Sequence, residues 1–93
     1  MIQSFVDRAT ERVWDREVVK RFGPELQRMA YVKLRLLNAA DDINDLRIPP
    51  GNRLEKLSGD RAGQHSSRIN AQFHIHFRWT AGGPVDVEIV DYH

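Results

Sequence analysis

The spacing of apolar positions changes near the middle of the chain, from helical intervals in the first part to alternation in the second. From Thr10 to Phe22, the residues Val13, Trp14, Val18 and Phe22 recur at helical intervals, which predicts a helix with Thr10 as its N-cap. Gly23-Pro24 ends it. Pro24 then suits the first turn of a second helix, where its fixed φ and missing N–H are tolerated. That helix carries Leu26, Met29, Ala30, Leu34 and Leu37 on one stripe, broken only by Lys33, and Asn38-Ala39-Ala40 terminates it. Two helices joined by so short a turn lie antiparallel or in a V and present one apolar slab that needs cover. A short strand, Ile2 to Phe5, is expected ahead of them.

Asp41 to Asn52 reads as a structured loop, because Ile48-Pro49-Pro50-Gly51-Asn52 forbids comfortable helix before each proline. Four runs of strand type follow: Arg53 to Leu57, Gln64 to Ile69, Phe73 to Trp79 and Val85 to Val90. Their connectors are short and turn-rich, which joins antiparallel neighbours into a meander. The predicted class is therefore α+β, with two N-terminal helices packed on a C-terminal antiparallel sheet. Successive strand residues point to opposite faces. Phe73, Ile75, Phe77, Trp79, Val85, Val87 and Ile89 should cover the helices, leaving Arg68, His74, His76, Arg78, Asp86, Glu88 and Val90 on an open polar face.

Composition narrows what such a fold can do. With 93 residues, 41% of them apolar, the chain is expected to form one small domain, 1–93, with no room for a large cofactor. It has no cysteine, so disulfides, thiolate catalysis and cysteine metal sites are excluded. No run reaches the ~18 apolar residues a spanning helix needs, and the opening lacks a secretion signal, so a cytoplasmic location and no membrane partner are expected. The net charge of +1 decides nothing until the charges are placed. In the first helix Arg8, Arg12, Arg16, Lys20 and Arg21 interleave with Asp7, Glu11, Asp15 and Glu17, the pattern of a solvated face.

The four histidines all fall in the final third. His74 and His76 project to one side of a strand about 7 Å apart, a workable zinc spacing. A third ligand would have to come from Asp91, Glu88 or His93, so the pair reads as surface and no metal or cofactor is expected. More informative is Asp91-Tyr92-His93, which runs an apolar strand into three proton-handling side chains. With Arg68, His74 and Arg78 these residues supply an acid, a base and a cation around a phosphate. That set suffices to cleave RNA through its own 2'-hydroxyl without a metal. Arg53, Lys56, Arg61 and Arg78 are the candidates for further phosphate contacts, and Tyr92 could stack a base.

Three stretches carry a resemblance: 45–55 (Asp-Leu-Arg-Ile-Pro-Pro-Gly-Asn-Arg-Leu-Glu), 57–66 (Leu-Ser-Gly-Asp-Arg-Ala-Gly-Gln-His-Ser) with Arg68-Ile69-Asn70, and the ending Val87-Glu88-Ile89-Val90-Asp91-Tyr92-His93. Together with the Met1-Ile2-Gln3-Ser4-Phe5 opening, the sequence resembles HigB-type killer toxins, a branch of the RelE/ParE superfamily. The resemblance implies a ribonuclease that enters the ribosomal A site and cuts messenger RNA there. It also implies a helix-turn-helix, HigA-like antitoxin that inactivates the toxin, with operator DNA bound only through that antitoxin. The implied functional residues are Asp91, Tyr92, His93 and, on the sheet, Arg68.

Two departures stand out. Where some relatives carry a His and a Lys before the Gly-Asp turn, this chain has Glu55 and Ser58. Where the family run reads Gln-Trp-Arg-Ile, this chain has Gln72-Phe73-His74-Ile75, which exchanges a permanent cation for a side chain that is mostly neutral at pH 7. The competing expectations are a ParE-like gyrase inhibitor and an antitoxin-binding module with weakened catalysis.

Overall fold

Asp7 opens the first helix, and its carboxylate accepts a hydrogen bond from the Thr10 N–H at 3.0 Å. The computed structural model, which describes residues 1–91, places this helix, α1, at Arg8–Trp14. It is therefore shorter than the predicted 10–22 span. Arg16 takes a φ of 63°, in the left-handed region where a side chain crowds the backbone, and the helix cannot continue through it. Val18 is left exposed, and a 3-10 turn at Lys20–Phe22 leads into the second helix, α2, at Gly23–Ala39. Thr10 is not a cap. It is fully buried, and its Oγ1 accepts the Ile89 N–H at 2.9 Å, tying α1 to the last strand.

The predicted stripe of α2 holds: Leu26, Ala30, Leu34 and Leu37 are buried. Lys33 interrupts it for a reason, because its Nζ donates to Asn52 Oδ1 at 2.6 Å. Asn52 is itself buried and donates to the Leu46 carbonyl at 3.2 Å, so α2 anchors the proline loop from beneath. Within that loop Asp42 and Asp45 cap one another's backbone, closing a 3-10 turn at Ile43–Arg47.

The strands are β1 (Glu55–Lys56), β2 (His65–Arg68), β3 (Phe73–Thr80) and β4 (Gly83–Asp91). They form one antiparallel sheet in the order β1-β2-β3-β4, the expected meander with its first strand shortened. The opening segment contributes only a parallel bridge, Phe5 to Val87, supported by the Gln3 N–H donating to the Pro84 carbonyl at 2.8 Å. One hydrophobic cluster joins Val13, Ala30, Leu34 and Leu37 of the helices to Ile75, Phe77, Val87 and Ile89 of the sheet. Among the described residues no helix is long and apolar enough to cross a membrane.

The sheet corrects the alternation at two places. Between His76 and Arg78 the register slips, so that two residues of β4, Asp86 and Val87, stand against one of β3. Asp86 absorbs the bulge with a φ of 53°. Beyond it the faces exchange: Pro84 is buried and pairs with Trp79, while Val85 pairs with Arg78 and is not a core residue. The second correction is His76, which is 2% exposed where an open polar position was expected.

Candidate functional site

Cross-strand partners share a face, so the pairs Arg68–His74 and Ser66–His76 of β2 and β3, with His76–Glu88 of β3 and β4, make one polar surface. Its centre is closed by the buried Ser66 and His76, and its margin carries the half-buried Arg68 and His74. Ser66 Oγ lies 3.0 Å from His74 Nδ1 in a hydrogen bond that fixes the ring, while Arg68 Nε donates to the Asn70 carbonyl at 3.1 Å.

Burial and the Arg68 charge hold His74 below its ordinary pKa, against an opposing pull from Glu55. His74 is therefore neutral at pH 7. It supplies no permanent cation, but as an unprotonated ring it can take a proton. His76 is pushed down to about 4, first by burial and then by Arg61 and His74, so it too is uncharged. His65, across the β1–β2 pair from Lys56, is lowered by burial, by Lys56 and by Arg47.

The four candidate phosphate-binding cations differ in their freedom. Arg61 Nη1 donates to Gln64 Oε1 at 3.1 Å and lies 3.4 Å from Glu88 Oε1. Arg78 Nε lies 3.8 Å from an Asp86 oxygen. Its guanidinium passes under Gly63, where a Cβ would stand 2.6 Å from Nη1 and φ is +91°, so glycine alone fits comfortably. Lys56 and Arg53 are exposed on the β1 side, Arg53 in the left-handed region with φ 44°. Arg47, which the sequence reading passed over, lies near enough to His65 to shift it. Its 3-10 turn gave no periodic signal.

Asp91 departs from the expected grouping. Its register partner is Phe73, so it belongs to the face opposite Arg68 and His74. There its carboxylate accepts from Gln72 Nε2 at 3.3 and 3.2 Å and borders a small cleft of about 170 Å³ with Arg21, Phe22, Phe73 and Ile89. The structure thus brings Arg68 and His74 together and sets Asp91 on the other side of the strand. Tyr92 and His93 lie outside the described residues.

The model of RelE-like toxins of the type II toxin-antitoxin system HigB matches residues 3–93. The chain belongs to this toxin family. Toxin HigB-1 of Vibrio cholerae serotype O1 is similar at 37% identity over 83 residues, covering 88% of this chain and 87% of that one. An uncharacterized protein of Haemophilus influenzae is 40% identical over 47 residues, half of this chain and 46% of its own. As a HigB-type toxin of a type II pair, the chain has an antitoxin as its implied partner.

Proposed function

We propose that this HigB-type toxin is a ribosome-dependent endoribonuclease that cuts messenger RNA by metal-independent acid-base chemistry. The observation that carries the reading is the Arg68–His74 pair, a permanent cation beside a neutral imidazole held by Ser66 on an RelE-like sheet. In this chemistry the RNA 2'-oxygen attacks the adjacent phosphorus, its proton passes to a base, and the departing 5'-oxygen takes a proton from an acid. Arg68 stabilises the charge gathering on the phosphoryl oxygens. His74, unprotonated at pH 7, serves the proton-accepting side, and Tyr92 and His93 are the further donors and acceptors that the family likeness supplies. Asp91, on the opposite face, accepts from Gln72 and is not placed to touch a phosphate held by Arg68 and His74. Arg53 and Lys56, whose charges face solvent, guide the RNA; Arg61 and Arg78, held by carboxylates, contribute less. The toxin would act in the bacterial cytoplasm at the ribosomal A site and be neutralised by a HigA-like helix-turn-helix protein through which it reaches operator DNA.

A translation reaction with and without the purified protein, with messenger 5' ends mapped by primer extension, tests this. New ends inside translated codons that vanish with Tyr92→Phe are expected. Translation that proceeds with the message intact would overturn the nuclease reading and leave gyrase inhibition or partner binding alone in its place.

A further inference from the structure

We propose that the groove between the 15–19 connection and the outer side of α2 receives an acidic, apolar-faced segment of the antitoxin. The groove measures about 800 Å³, and all its lining residues fall between Val13 and Arg35, none on the sheet. Its floor is aliphatic, made by Val13, Val19 and the solvent-exposed Val18 and Val32. Its rim is basic: Arg16, Lys20, Arg28 and Arg35 border it, and no carboxylate does. A chain of net charge +1 therefore concentrates four positive charges around one apolar trough.

Those charges are not neutralised within the fold. None of the four makes an ion pair among the described residues, although Arg12 pairs with Glu17 and Arg21 with Asp7 close by. The groove wall is braced by other groups. Val19 N–H donates to Gln27 Oε1 at 2.9 Å, Gln27 Nε2 donates to the Glu17 carbonyl, and Arg12 Nη2 donates to the Val18 carbonyl at 3.0 Å. The trough is thus preformed, and Lys20, Arg28 and Arg35 remain available to a partner, while Arg16 lies over the Tyr31 ring. Apolar contact with Val18 and Val32 supplies burial, while carboxylates facing the rim supply orientation and on-rate.

Nucleic acid fits this groove poorly, because its floor is aliphatic and its aromatic ring, Tyr31, is already covered by the Arg16 guanidinium at 4.5 Å. The partner that membership of a type II toxin family implies is an antitoxin, and a segment carrying both apolar and acidic side chains matches floor and rim together. The inference rests on that membership and not on the nuclease chemistry.

The test is calorimetric titration of the full-length toxin with the antitoxin encoded beside it, at low and high salt. Arg28→Glu/Arg35→Glu is expected to weaken binding at least about tenfold at low salt and less at high salt. Val32→Asp should weaken it at both. All these side chains are exposed, so thermal midpoints near that of the parent protein would show that the variants fold. Affinity unchanged in both groove variants but lost with Arg68→Glu would overturn the proposal and place the antitoxin on the sheet. Two other results would also overturn it. One is unaltered antitoxin affinity with loss of binding to phosphatidylcholine–phosphatidylglycerol vesicles, and the other is unaltered affinity with loss of self-association in sedimentation.

Discussion

The helical surface and the sheet surface of this toxin both carry arginines, but they use them differently. Along the groove Arg16, Arg28 and Arg35 make no ion pair among the described residues and surround aliphatic side chains. On the sheet Arg61 and Arg78 lean on Glu88 and Asp86, Arg68 is bonded to the Asn70 carbonyl, and the histidines between them are uncharged. Net charge therefore says little about where this molecule binds. A cation already restrained by a carboxylate is fixed in place, whereas an unpaired one over an apolar floor is open to a partner. Removing Arg68, the sheet cation whose Nε donates to the Asn70 carbonyl, is expected to have the largest effect. Arg68→Ala should slow message cleavage about 100- to 1,000-fold, roughly 3–4 kcal/mol of transition-state stabilisation, while the unfolding midpoint barely moves. Cleavage at the parental rate in a translation assay would break the comparison, because the sheet would then hold no working cation.

The next largest effect is expected from the neutral side of the sheet. In the unfolded chain His76 titrates near its ordinary 6.5, and in the folded protein near about 4. Between these values the unfolded state takes up a proton that the folded state refuses, so stability falls as pH falls. Above pH 7 the effect vanishes, and by pH 4 it amounts to about 3 kcal/mol. His74 and His65 are also lowered and act in the same sense. Urea midpoints measured from pH 7 to 4 should decline steadily, and His76→Phe should flatten much of that decline. An equal slope in the variant would mean that His76 is not the group refusing the proton.

Much of this architecture is legible in the sequence because it follows periodicity. The α2 stripe, the Pro24 start and the order of the strands all rest on hydrophobic spacing and turn residues. The failures have local causes that spacing does not carry. Val18 and Phe22 continue a helical rhythm across Arg16, whose left-handed φ has already broken the helix. The bulge at Asp86 reverses the alternation that made Val85 look inward. At the candidate site Arg68 and His74 were legible as neighbours by strand parity, yet parity also sends Asp91 to the Phe73 face. The role of Thr10 was hidden because a threonine near a helix start is ordinarily a cap, and only the fold brings the Ile89 N–H to it.

That threonine is the tie between the two surfaces. Thr10→Val keeps the shape but leaves the buried Ile89 N–H without its acceptor, at an expected loss of about 2 kcal/mol in denaturant unfolding. Thr10→Ser retains the hydroxyl and should lose less. If serine and valine cost the same, the methyl packing of Thr10, and not its hydrogen bond, joins α1 to β4.

The smallest change sharpens the comparison most. The Arg61–Glu88 pair is partly exposed and 3.4 Å apart, so Glu88→Gln should alter stability by less than about 1 kcal/mol at pH 7. Its effect on charge is larger in kind, because Arg61 then resembles the groove cations: present, and held by no carboxylate. Since Arg61 already helps depress His76, loss of the neighbouring carboxylate should depress it further, visible as a lower midpoint in an NMR titration. The freed guanidinium should also bind phosphate, so the affinity for a short single-stranded RNA should rise. Its dependence on salt should steepen by about 0.7 in the log–log slope, the signature of one added contact to a single strand. An unchanged slope would mean that Glu88 does not restrain Arg61, and the sheet and the groove would then differ in shape rather than in the availability of their charge.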